Sequence, residues 1–432
     1  MEKFTKKDPV ETITQVKRAL LVGVIYADHE EESGQALLGE LKELTENLGI
    51  EVVKTVLVYL RQPKAPLLLG SGKTEELIEM AHTLKCEAIV LDETLTPGQQ
   101  RNWEKMSKLY VMDRQEVILE IFGQRAQTKE AVLQVELAQM EYTLPRLTRA
   151  WTHLSRQKGG RVTLRGEGEK QLEVDKRLVR KRISQLKREL KEVLQHRGVQ
   201  RKRRLRIPVP TGAIVGYTNA GKSSLLNMLT EAKVRAEDKL FATLDPTTRR
   251  LELPSGQRFL LTDTVGFIRK LPHKLVDAFK ATLEETVHAD IIIHVIDGSS
   301  PEAEHHWETT QEVLKELGVE SKPTLTVINK SDLGVDPVLF GALQTKVPDL
   351  LQISARTGEG TDALLGAIEA LLEEQVVLAN LMIPHDRYDL IHALYELGAI
   401  KNQEVRDDGV YILGNIPKRF LTQVEPFEIK AP

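Results

Sequence analysis

The chain has 432 residues, 41% of them hydrophobic and 28% charged, which predicts a globular protein of several domains. It lacks any run of about 18 apolar residues, so we expect no transmembrane helix, and residues 1–17 lack the apolar core of a signal peptide. The single cysteine, Cys86, excludes an internal disulfide and argues against a cysteine-ligated metal, so we expect a cytoplasmic protein.

Residues 1–125 are predicted to form a small α/β domain. Apolar runs alternate with amphipathic stretches, a pattern typical of a mostly parallel sheet covered by helices. The predicted strands are 19–26, 52–60, 87–91 and 109–112, and the predicted helices are 32–48, 73–84 and 96–108.

Residues 70–74 of this domain contain a glycine-lysine-threonine run that resembles part of a phosphate-binding loop. A complete P-loop also needs a glycine five residues before Gly72, and that position is Leu67. We interpret the segment as a tight turn that caps a helix. Weak contact with phosphate or RNA is the alternative.

Residues 126–206 are predicted to form an arm, which is an antiparallel helical hairpin. Apolar residues recur there at spacings of three, four or seven, as in coiled coils. They are Leu133, Leu137, Met140, Leu144, Leu147 and Trp151 in the first helix, and Leu172, Val179, Ile183, Leu186, Leu190 and Val193 in the second. Pro145 is expected to kink the first helix.

The arm concentrates positive charge that the overall net charge of −3 conceals. Residues 155–206 contain nineteen Lys and Arg against six Asp and Glu, a local net charge of +13. The predicted tip, residues 155–168, has four glycines and four basic residues, Arg156, Lys158, Arg161 and Arg165. A solvated helix face and an ordinary loop would explain this composition without a partner. Its concentration at the end of a long arm favours contact with nucleic-acid phosphates.

Residues 207–375 are predicted to form a Ras-like, doubly wound domain that binds nucleotide. An apolar strand at 213–215 is followed by the pattern G-x-x-x-x-G-K-S and by a helix, the context that a P-loop requires. The motif is Gly216-Tyr217-Thr218-Asn219-Ala220-Gly221-Lys222-Ser223. The backbone N–H groups of such a loop surround phosphates at a helix N-terminus. We expect Lys222 to neutralise the β- and γ-phosphates and Ser223 to ligate Mg²⁺.

A second motif, Asp263-Thr264-Val265-Gly266, follows the apolar run 259–261. Asp263 stands where a carboxylate reaches Mg²⁺ through a water molecule, and the N–H of Gly266 can bond the γ-phosphate. The next residue is Phe267, where Ras-type enzymes have a glutamine that orients water. We therefore predict slow intrinsic hydrolysis that a partner accelerates.

Two further motifs distinguish guanine from adenine. They are Asn329-Lys330-Ser331-Asp332, at the end of the strand 324–328, and Ser354-Ala355-Arg356, after the strand 350–353. Asp332 can accept hydrogen bonds from the N1–H and the N2 amine of guanine, which adenine lacks. A backbone N–H of the second motif can meet guanine O6. The four motifs start 47, 66 and 25 residues apart, which suits one doubly wound domain. Together they predict an enzyme that hydrolyses GTP to GDP and phosphate.

The segment 241–248 is predicted to complete the magnesium site when GTP is bound. The residues predicted to contact the nucleotide there are Phe241, Ala242, Thr243, Leu244 and Asp245. Thr243 is the preferred hydroxyl ligand of Mg²⁺, and Thr247 is the alternative. Residues 254–257 are predicted to form a hairpin turn after this segment.

Asn219 is a candidate ligand of a potassium ion beside the γ-phosphate. It occupies the P-loop position at which cation-dependent GTPases place an asparagine. The ion would supply positive charge as the transition state develops, which an arginine finger does elsewhere. The alternative is that Asn219 hydrogen-bonds only the backbone of its own loop.

Residues 376–432 are predicted to form a small α+β domain, with a helix at 388–397 and a strand at 409–413. No catalytic constellation occurs in it, so a structural or docking role is the default. The eleven histidines of the chain show no metal-binding spacing. His305 and His306 are interpreted as a solvated pair on a helix.

The P-loop motif 216–223 resembles the HflX family of translation-factor-class GTPases, which is related to Obg, and so do the segments Phe241-Ala242-Thr243-Leu244-Asp245-Pro246-Thr247 and Asp263-Thr264-Val265-Gly266-Phe267. Two segments of the arm add to the resemblance, Gln134-Val135-Glu136-Leu137-Ala138-Gln139 and Gly166-Glu167-Gly168-Glu169. The family usually has a proline where Glu167 stands. The resemblance covers almost the whole chain. It implies a protein that binds the large ribosomal subunit, is stimulated by ribosomes and dissociates idle or stalled 70S ribosomes.

Two other functions remain open at this stage. A GTPase of large-subunit assembly would share the same nucleotide-binding domain and arm. A signalling switch would bind a protein effector and use the arm as a dimerising coiled coil. For the leading function we expect a monomer that contacts ribosomal RNA through the arm and does not bind DNA.

Overall fold

The computed structural model describes residues 16–26, 31–64, 66–147, 165–204, 209–230, 240–241, 244–270, 285–374, 376–397 and 399–429. The chain divides into two compact units. Unit 1 comprises Met1–Lys191, Lys239–Phe241 and Arg269–Phe279, and unit 2 comprises Glu192–Asp238, Ala242–Ile268 and Lys280–Pro432. No helix within the described ranges is both long and apolar enough to cross a membrane.

Unit 1 contains a four-stranded parallel sheet of order β2-β1-β3-β4. The elements in chain order are β1 (Arg18–Tyr26), α1 (Glu31–Asn47), β2 (Glu51–Leu60), α2 (Ser71–Thr83), β3 (Ala88–Leu91), α3 (Pro97–Ser107), β4 (Tyr110–Asp113) and α4 (Arg114–Arg125). Strand β1 is almost wholly buried, as a continuous apolar run in a covered parallel strand requires. The predicted α/β architecture is confirmed.

The glycine-lysine-threonine run forms the start of α2. Gly70 is its N-cap, and the Thr74 hydroxyl donates a 3.0 Å hydrogen bond to the Gly70 carbonyl. The Lys73 amine pairs with Glu76 at 2.7 Å. The interpretation as a turn that caps a helix is confirmed.

The arm contains α5 (Lys129–Thr143), a 3₁₀ turn at Leu144–Arg146, and α6 (Arg165–Arg204) of 40 residues. Pro145 lies in the 3₁₀ turn, where it ends α5. Bidentate contacts of 2.7 and 2.8 Å join Arg182 to Glu136.

The C-terminal boundary of the loop predicted over 155–168 is wrong, because α6 already begins at Arg165. The rest of the tip, including Arg156, Lys158 and Arg161, lies outside the described residues.

A buried ion-pair network stabilises unit 1. The Arg114 guanidinium donates to Asp92 at 2.8 Å and also to Glu40, and all three side chains are at most 9% exposed. Lys270 joins the network, at 3.0 Å from Asp92 and 2.6 Å from Glu93. Because each buried carboxylate has a cationic partner, the charges are tolerated in the interior.

Unit 2 contains a six-stranded sheet of order β10-β9-β8-β5-β7-β6, which is parallel except for the β6–β7 hairpin. Its elements are β5 (Thr211–Gly216), α7 (Lys222–Thr230), β6 (Thr247–Glu252), β7 (Arg258–Asp263), β8 (Ile291–Asp297), α8 (Ala303–Glu316), β9 (Thr324–Asn329), α9 (Pro337–Lys346), β10 (Leu351–Gln352) and α10 (Thr361–Glu373). The hairpin turn predicted at 254–257 is confirmed. Strands β5, β7 and β9 end at Gly216, Asp263 and Asn329, so three G motifs begin at one edge of the sheet.

The C-terminal part of unit 2 forms a three-stranded antiparallel sheet of order β11-β13-β12 with two helices. Its elements are β11 (Val376–Ile383), α11 (Tyr388–Glu396), β12 (Ile400–Arg406), β13 (Gly409–Pro417) and α12 (Lys418–Val424). The predicted helix and strand are present as α11 and β13. Strand β12 was not predicted, because it is largely exposed and lacks apolar alternation.

Candidate nucleotide-binding site

The P-loop connects β5 to α7 in the strand-loop-helix context that its sequence predicts. Gly221 has a φ of +91°, and a Cβ there would lie 2.2 Å from Nδ2 of Asn329. Only glycine fits both constraints. Asn219 also has a positive φ, of 61°, a conformation that asparagine tolerates better than most residues. The loop backbone is therefore shaped for the close approach of phosphates.

Lys222 is buried at the first position of α7 and donates from Nζ to the Tyr217 carbonyl at 2.7 Å. Burial lowers the pKa of Lys222 to about 8, while Asp263 acts in the opposite direction. A buried ammonium group within the loop is the point charge that P-loop proteins direct at β- and γ-phosphates. The position therefore agrees with the role predicted for Lys222.

The Asp263-Thr264-Val265-Gly266 motif packs directly on the P-loop. The Thr218 N–H donates to the Phe267 carbonyl at 2.8 Å, and the Phe267 N–H donates to the Gly216 carbonyl at 3.0 Å. A Cβ at Gly266 would lie 2.7 Å from Thr218 Cα and 2.8 Å from Lys222 Nζ. Gly266 thus lies beside the lysine that is predicted to hold the γ-phosphate.

Ser223 and Asp263 form the part of the site that suits a divalent cation. The Ser223 hydroxyl donates to Oδ2 of Asp263 at 2.6 Å, and Asp263 is fully buried. Hydroxyl and carboxylate oxygens are the donors that Mg²⁺ prefers. Thr264 and Val265 are also buried, and the Thr264 hydroxyl donates to the Ile214 carbonyl at 2.7 Å.

Asn329 joins three of the predicted motifs. Its side-chain amide donates to the Ala220 carbonyl at 2.9 Å, and its Oδ1 accepts from the Ala355 N–H at 2.9 Å. Lys330 has a φ of +67° and pairs with Asp297 at 2.7 Å. One buried amide therefore fixes the P-loop and the last motif relative to each other.

Asp332 is held by the last motif. Its Oδ1 accepts from the Ser354 hydroxyl at 2.7 Å, and its Oδ2 lies 3.9 Å from Arg356. The Ser331 N–H donates to the Ile353 carbonyl at 3.2 Å, which draws the two motifs together. A cavity of about 690 Å³ opens here, within the size range of small-ligand sites. Its lining includes Asn219, Gly221, Asn329, Lys330, Asp332, Ala355 and Arg356.

The segment predicted to complete the magnesium site is only partly described. Ala242 and Thr243 lie outside the described residues, so the preferred hydroxyl ligand has no structural account. Leu244 is buried, and Thr247 begins β6. The Phe241 ring is buried in unit 1 and packs edge-on against Phe122 at 4.6 Å between centroids.

Two side chains at the site were missed by sequence reasoning. The His306 ring stacks on Tyr217 of the P-loop, at 3.7 Å between centroids and 12° between planes. The interpretation of His306 as solvated is therefore wrong, because the helix α8 presents it to the loop. Asp297, at the end of β8, holds Lys330. Like Asp263 and Asn329, Asp297 ends a strand of the sheet, and this position in the sequence could have identified it as a site residue.

A doubly wound sheet with a P-loop, a serine hydrogen-bonded to a buried aspartate, and a carboxylate at the edge of a cavity of small-ligand size defines a P-loop GTPase. Models of four protein regions match nearly the whole chain. They are described as GTP-binding GTPase N-terminal (35–123), GTP-binding GTPase Middle Region (125–204), 50S ribosome-binding GTPase (211–330) and HflX C-terminal domain (342–417).

Relatives extend over the same length. GTPase HflX of Akkermansia muciniphila is 48% identical over 95% of this chain and 97% of its own. GTPase HflX of Escherichia coli is 41% identical over 91% of this chain and 92% of its own. The chain belongs to the HflX family of GTPases, and it is an enzyme that hydrolyses GTP to GDP and phosphate.

Among solved structures, the chain matches a GTP-binding protein from the hyperthermophilic archaeon Sulfolobus solfataricus in complex with GDP. It is 26% identical, with a TM-score of 0.43, and the match covers 82% of this chain and 98% of that one.

Proposed function

We propose that this GTPase binds the large ribosomal subunit and uses GTP to dissociate idle or stalled 70S ribosomes. The observation that supports the proposal most is a basic stripe on the arm of a chain that also carries a GTP site. The match to a model described as a 50S ribosome-binding GTPase supports the choice of the large subunit as the anionic partner.

The basic stripe is one face of α6. It consists of five exposed residues, Arg177, Arg180, Lys181, Arg188 and Lys191. At 3.6 residues per turn they fall within an arc of about 100°. The buried residues Ile183 and Leu186 lie on the opposite side of the helix. Between these basic residues the stripe carries no acidic side chain, so its positive potential is continuous.

A stripe of this kind suits the phosphates of an RNA helix better than the surface of a protein effector. Lys and Arg bind phosphates without base specificity, and counterion release makes such binding strongly salt-dependent. A dimerising coiled coil would instead require an apolar stripe along the exposed side, and the exposed large apolar residues in the described part of α6, Val174 and Leu178, span only one turn. For this reason we favour the ribosome over a signalling partner.

In the nucleotide site we propose that Ser223 and Thr243 ligate Mg²⁺ and that Asp263 acts through a water molecule. The hydrogen-bonded Ser223–Asp263 pair supplies hard oxygen donors, which fit this ion. Mg²⁺ would neutralise charge on the β- and γ-phosphates. Lys222 and the Gly266 N–H would hold the γ-phosphate, and Asn219 would ligate a potassium ion.

Co-sedimentation with purified 30S, 50S and 70S particles, in GDP or a non-hydrolysable GTP analogue, tests the proposal. We expect binding to 50S with the analogue and conversion of 70S to subunits. Binding to 50S without conversion of 70S would favour the assembly function. Absence of binding to any particle at low salt would contradict the proposal. The signalling switch would then be the favoured function.

Charge reversal tests the role of the arm separately from the nucleotide site. Changing Arg177, Arg180, Lys181 and Arg188 to Glu should abolish stimulation of hydrolysis by ribosomes and leave GTP binding unchanged. The same result is expected for reversal of Arg156, Lys158, Arg161 and Arg165 at the tip. Full ribosomal stimulation in both variants would show that the arm does not engage RNA.

A further inference from the structure

Unit 1 contains a cavity of about 430 Å³ between α4, α5 and α6. Helix α4 contributes Glu116, Leu119, Glu120 and Gly123, which recur at spacings of three and four and so share one face. Helix α5 contributes another such face, Val132, Val135, Glu136, Gln139, Met140 and Thr143. The cavity falls within the size range of small-ligand sites.

Part of the arm segment 134–139 also lines this cavity. The segment has no role in the GTPase reaction. Val135, Glu136 and Gln139 of this segment line the cavity. On the facing helix, a Cβ at Gly123 would lie 2.9 Å from Nε2 of Gln139. The glycine therefore keeps this end of the cavity open to the glutamine amide.

Two of the three carboxylates in the lining are neutralised or hydrogen-bonded by neighbours. Glu116 accepts from Tyr110 at 2.7 Å, and from Gln100 and Tyr142 at 3.0 and 3.2 Å. Glu136 is paired with Arg182, the one basic residue of the lining.

Glu120 differs from both. It is only 8% exposed, and among the described residues it makes no hydrogen bond or ion pair. Burial and the nearby Glu116 raise the pKa of Glu120 to about 7. Since no described neighbour occupies its oxygens, Glu120 is the carboxyl group of this cavity that is available to a ligand.

The neighbours of Glu120 indicate what kind of ligand this is. The lining contains three carboxylates and one guanidinium group, so its formal charge is negative even though Arg182 offsets Glu136, and this favours a cation. A metal ion is disfavoured, because the described residues contain no group of three His, Cys, Asp or Glu placed to ligate one. Leu119, Val135 and Met140 add an apolar wall that would cover an aliphatic chain.

We propose that this cavity binds a small organic cation, an ammonium or guanidinium group on a short aliphatic body, with the cation at Glu120. The site is independent of the nucleotide site and of the proposed ribosomal function. If no cation binds in this cavity, the nucleotide site and the proposed ribosomal function are unaffected.

Calorimetric titration of the full-length protein in an amine-free buffer at pH 8 tests the proposal. The probes are n-butylamine and agmatine, with butan-1-ol as a neutral analogue of the first. Nα-acetyl-lysine methylamide carries an ammonium group on a peptide backbone. Its binding would indicate a lysine side chain of a partner protein as the ligand, and its failure to bind would indicate a free amine. We expect both free amines to bind and the alcohol to bind at least about tenfold more weakly, since it lacks the charge.

Glu120→Gln provides the matched variant, because it removes the charge and keeps the shape. It should weaken amine binding at least about tenfold, whereas Glu79→Gln, on the exposed face of α2, should leave it unchanged. Circular dichroism of each variant checks folding. If Glu120→Gln does not fold, the comparison of amine with alcohol on the wild type decides. Absence of heat from both amines, equal binding of the alcohol, or amine binding unchanged in a folded Glu120→Gln would overturn the proposal.

Discussion

The Ser354 hydroxyl donates a 2.7 Å hydrogen bond to Oδ1 of Asp332. Ser354 is fully buried, whereas the Asp332 side chain is 17% exposed at the edge of the cavity. The buried hydroxyl thus orients the carboxylate that we propose as the reader of the guanine base. Preorganisation of this kind reduces the entropic cost of binding and sharpens the choice between bases.

We predict that Asp332→Asn weakens GTP binding by about 100-fold, because two hydrogen bonds to a charged acceptor are lost. The same variant should bind xanthosine triphosphate more tightly than the wild type does. Xanthine has a C2 carbonyl where guanine has an amine, and an asparagine amide can donate to it. Competition binding with fluorescent nucleotides measures both effects. The exposed Asp349→Asn is the control, and unchanged GTP preference in Asp332→Asn would show that Asp332 does not read the base.

Arg114→Ala is predicted to destabilise unit 1 by about 3–5 kcal/mol, because it leaves buried carboxylates without their main cationic partner. Asp92 and Glu40 both lose a guanidinium contact. Hydrogen–deuterium exchange of β1 and β3 reports on unit 1 directly, and these strands should exchange faster. Arg61→Ala, at an exposed position, is the control. Equal protection in wild type and Arg114→Ala would show that the network adds no stability.

The position of Asp332 could be predicted from sequence, because its chemistry requires a fixed place after a strand and the spacing of the motifs is preserved. The sheet of unit 1 was predictable for a similar reason: apolar runs and amphipathic stretches alternate without ambiguity. Local patterns of this type depend on neighbours in sequence. The structure places them within two or three residues of the predicted bounds.

His306 and Glu120 could not be predicted in the same way. A histidine on an amphipathic helix looks solvated until the partner of that helix face is known, and here the partner is Tyr217. Glu120 lies in α4. The spacing of apolar residues in this helix does not indicate that a second helix leaves a cavity beside it. Contacts between distant segments decide both cases, and a single sequence does not contain them.

Glu120 also predicts a pH dependence of stability. Its pKa is raised from 4.5 to about 7 in the folded chain, so the folded state binds its proton more tightly than the unfolded state does. The favourable contribution is complete below pH 4.5 and is lost as the pH rises through about 7. The groups around Glu120 are Glu116 on its own helix, Glu136 on α5 and Arg182 on α6.

In Glu120→Gln this loss should be absent, so the variant should be more stable than the wild type at pH 8. Because a tenfold change in proton affinity corresponds to about 1.4 kcal/mol, the difference in the free energy of unfolding is of the order of 3 kcal/mol. Thermal unfolding between pH 4 and pH 8 measures it, with Glu79→Gln as the control. A difference that does not change with pH would mean that Glu120 has an ordinary pKa.

The last prediction concerns the ion at Asn219. Hydrolysis of GTP should be faster in K⁺ than in Na⁺, by on the order of tenfold, because a fixed cation near the γ-phosphate stabilises developing charge. Phe267 supports this expectation, since it is buried against the P-loop and its side chain has no amide with which to orient water. Asn219 has a φ of 61° in the P-loop, and it lines the nucleotide cavity.

The measurement is single-turnover hydrolysis in matched KCl and NaCl at saturating Mg²⁺ and nucleotide. In Asn219→Ala the rate in K⁺ should fall to the rate in Na⁺. Asn227→Ala is the control, because Asn227 lines the same cavity from α7. The dissociation constant for GTP in each salt separates an effect on binding from one on the chemical step. Equal wild-type rates in both salts would reject the ion and leave Asn219 with a structural role in the loop.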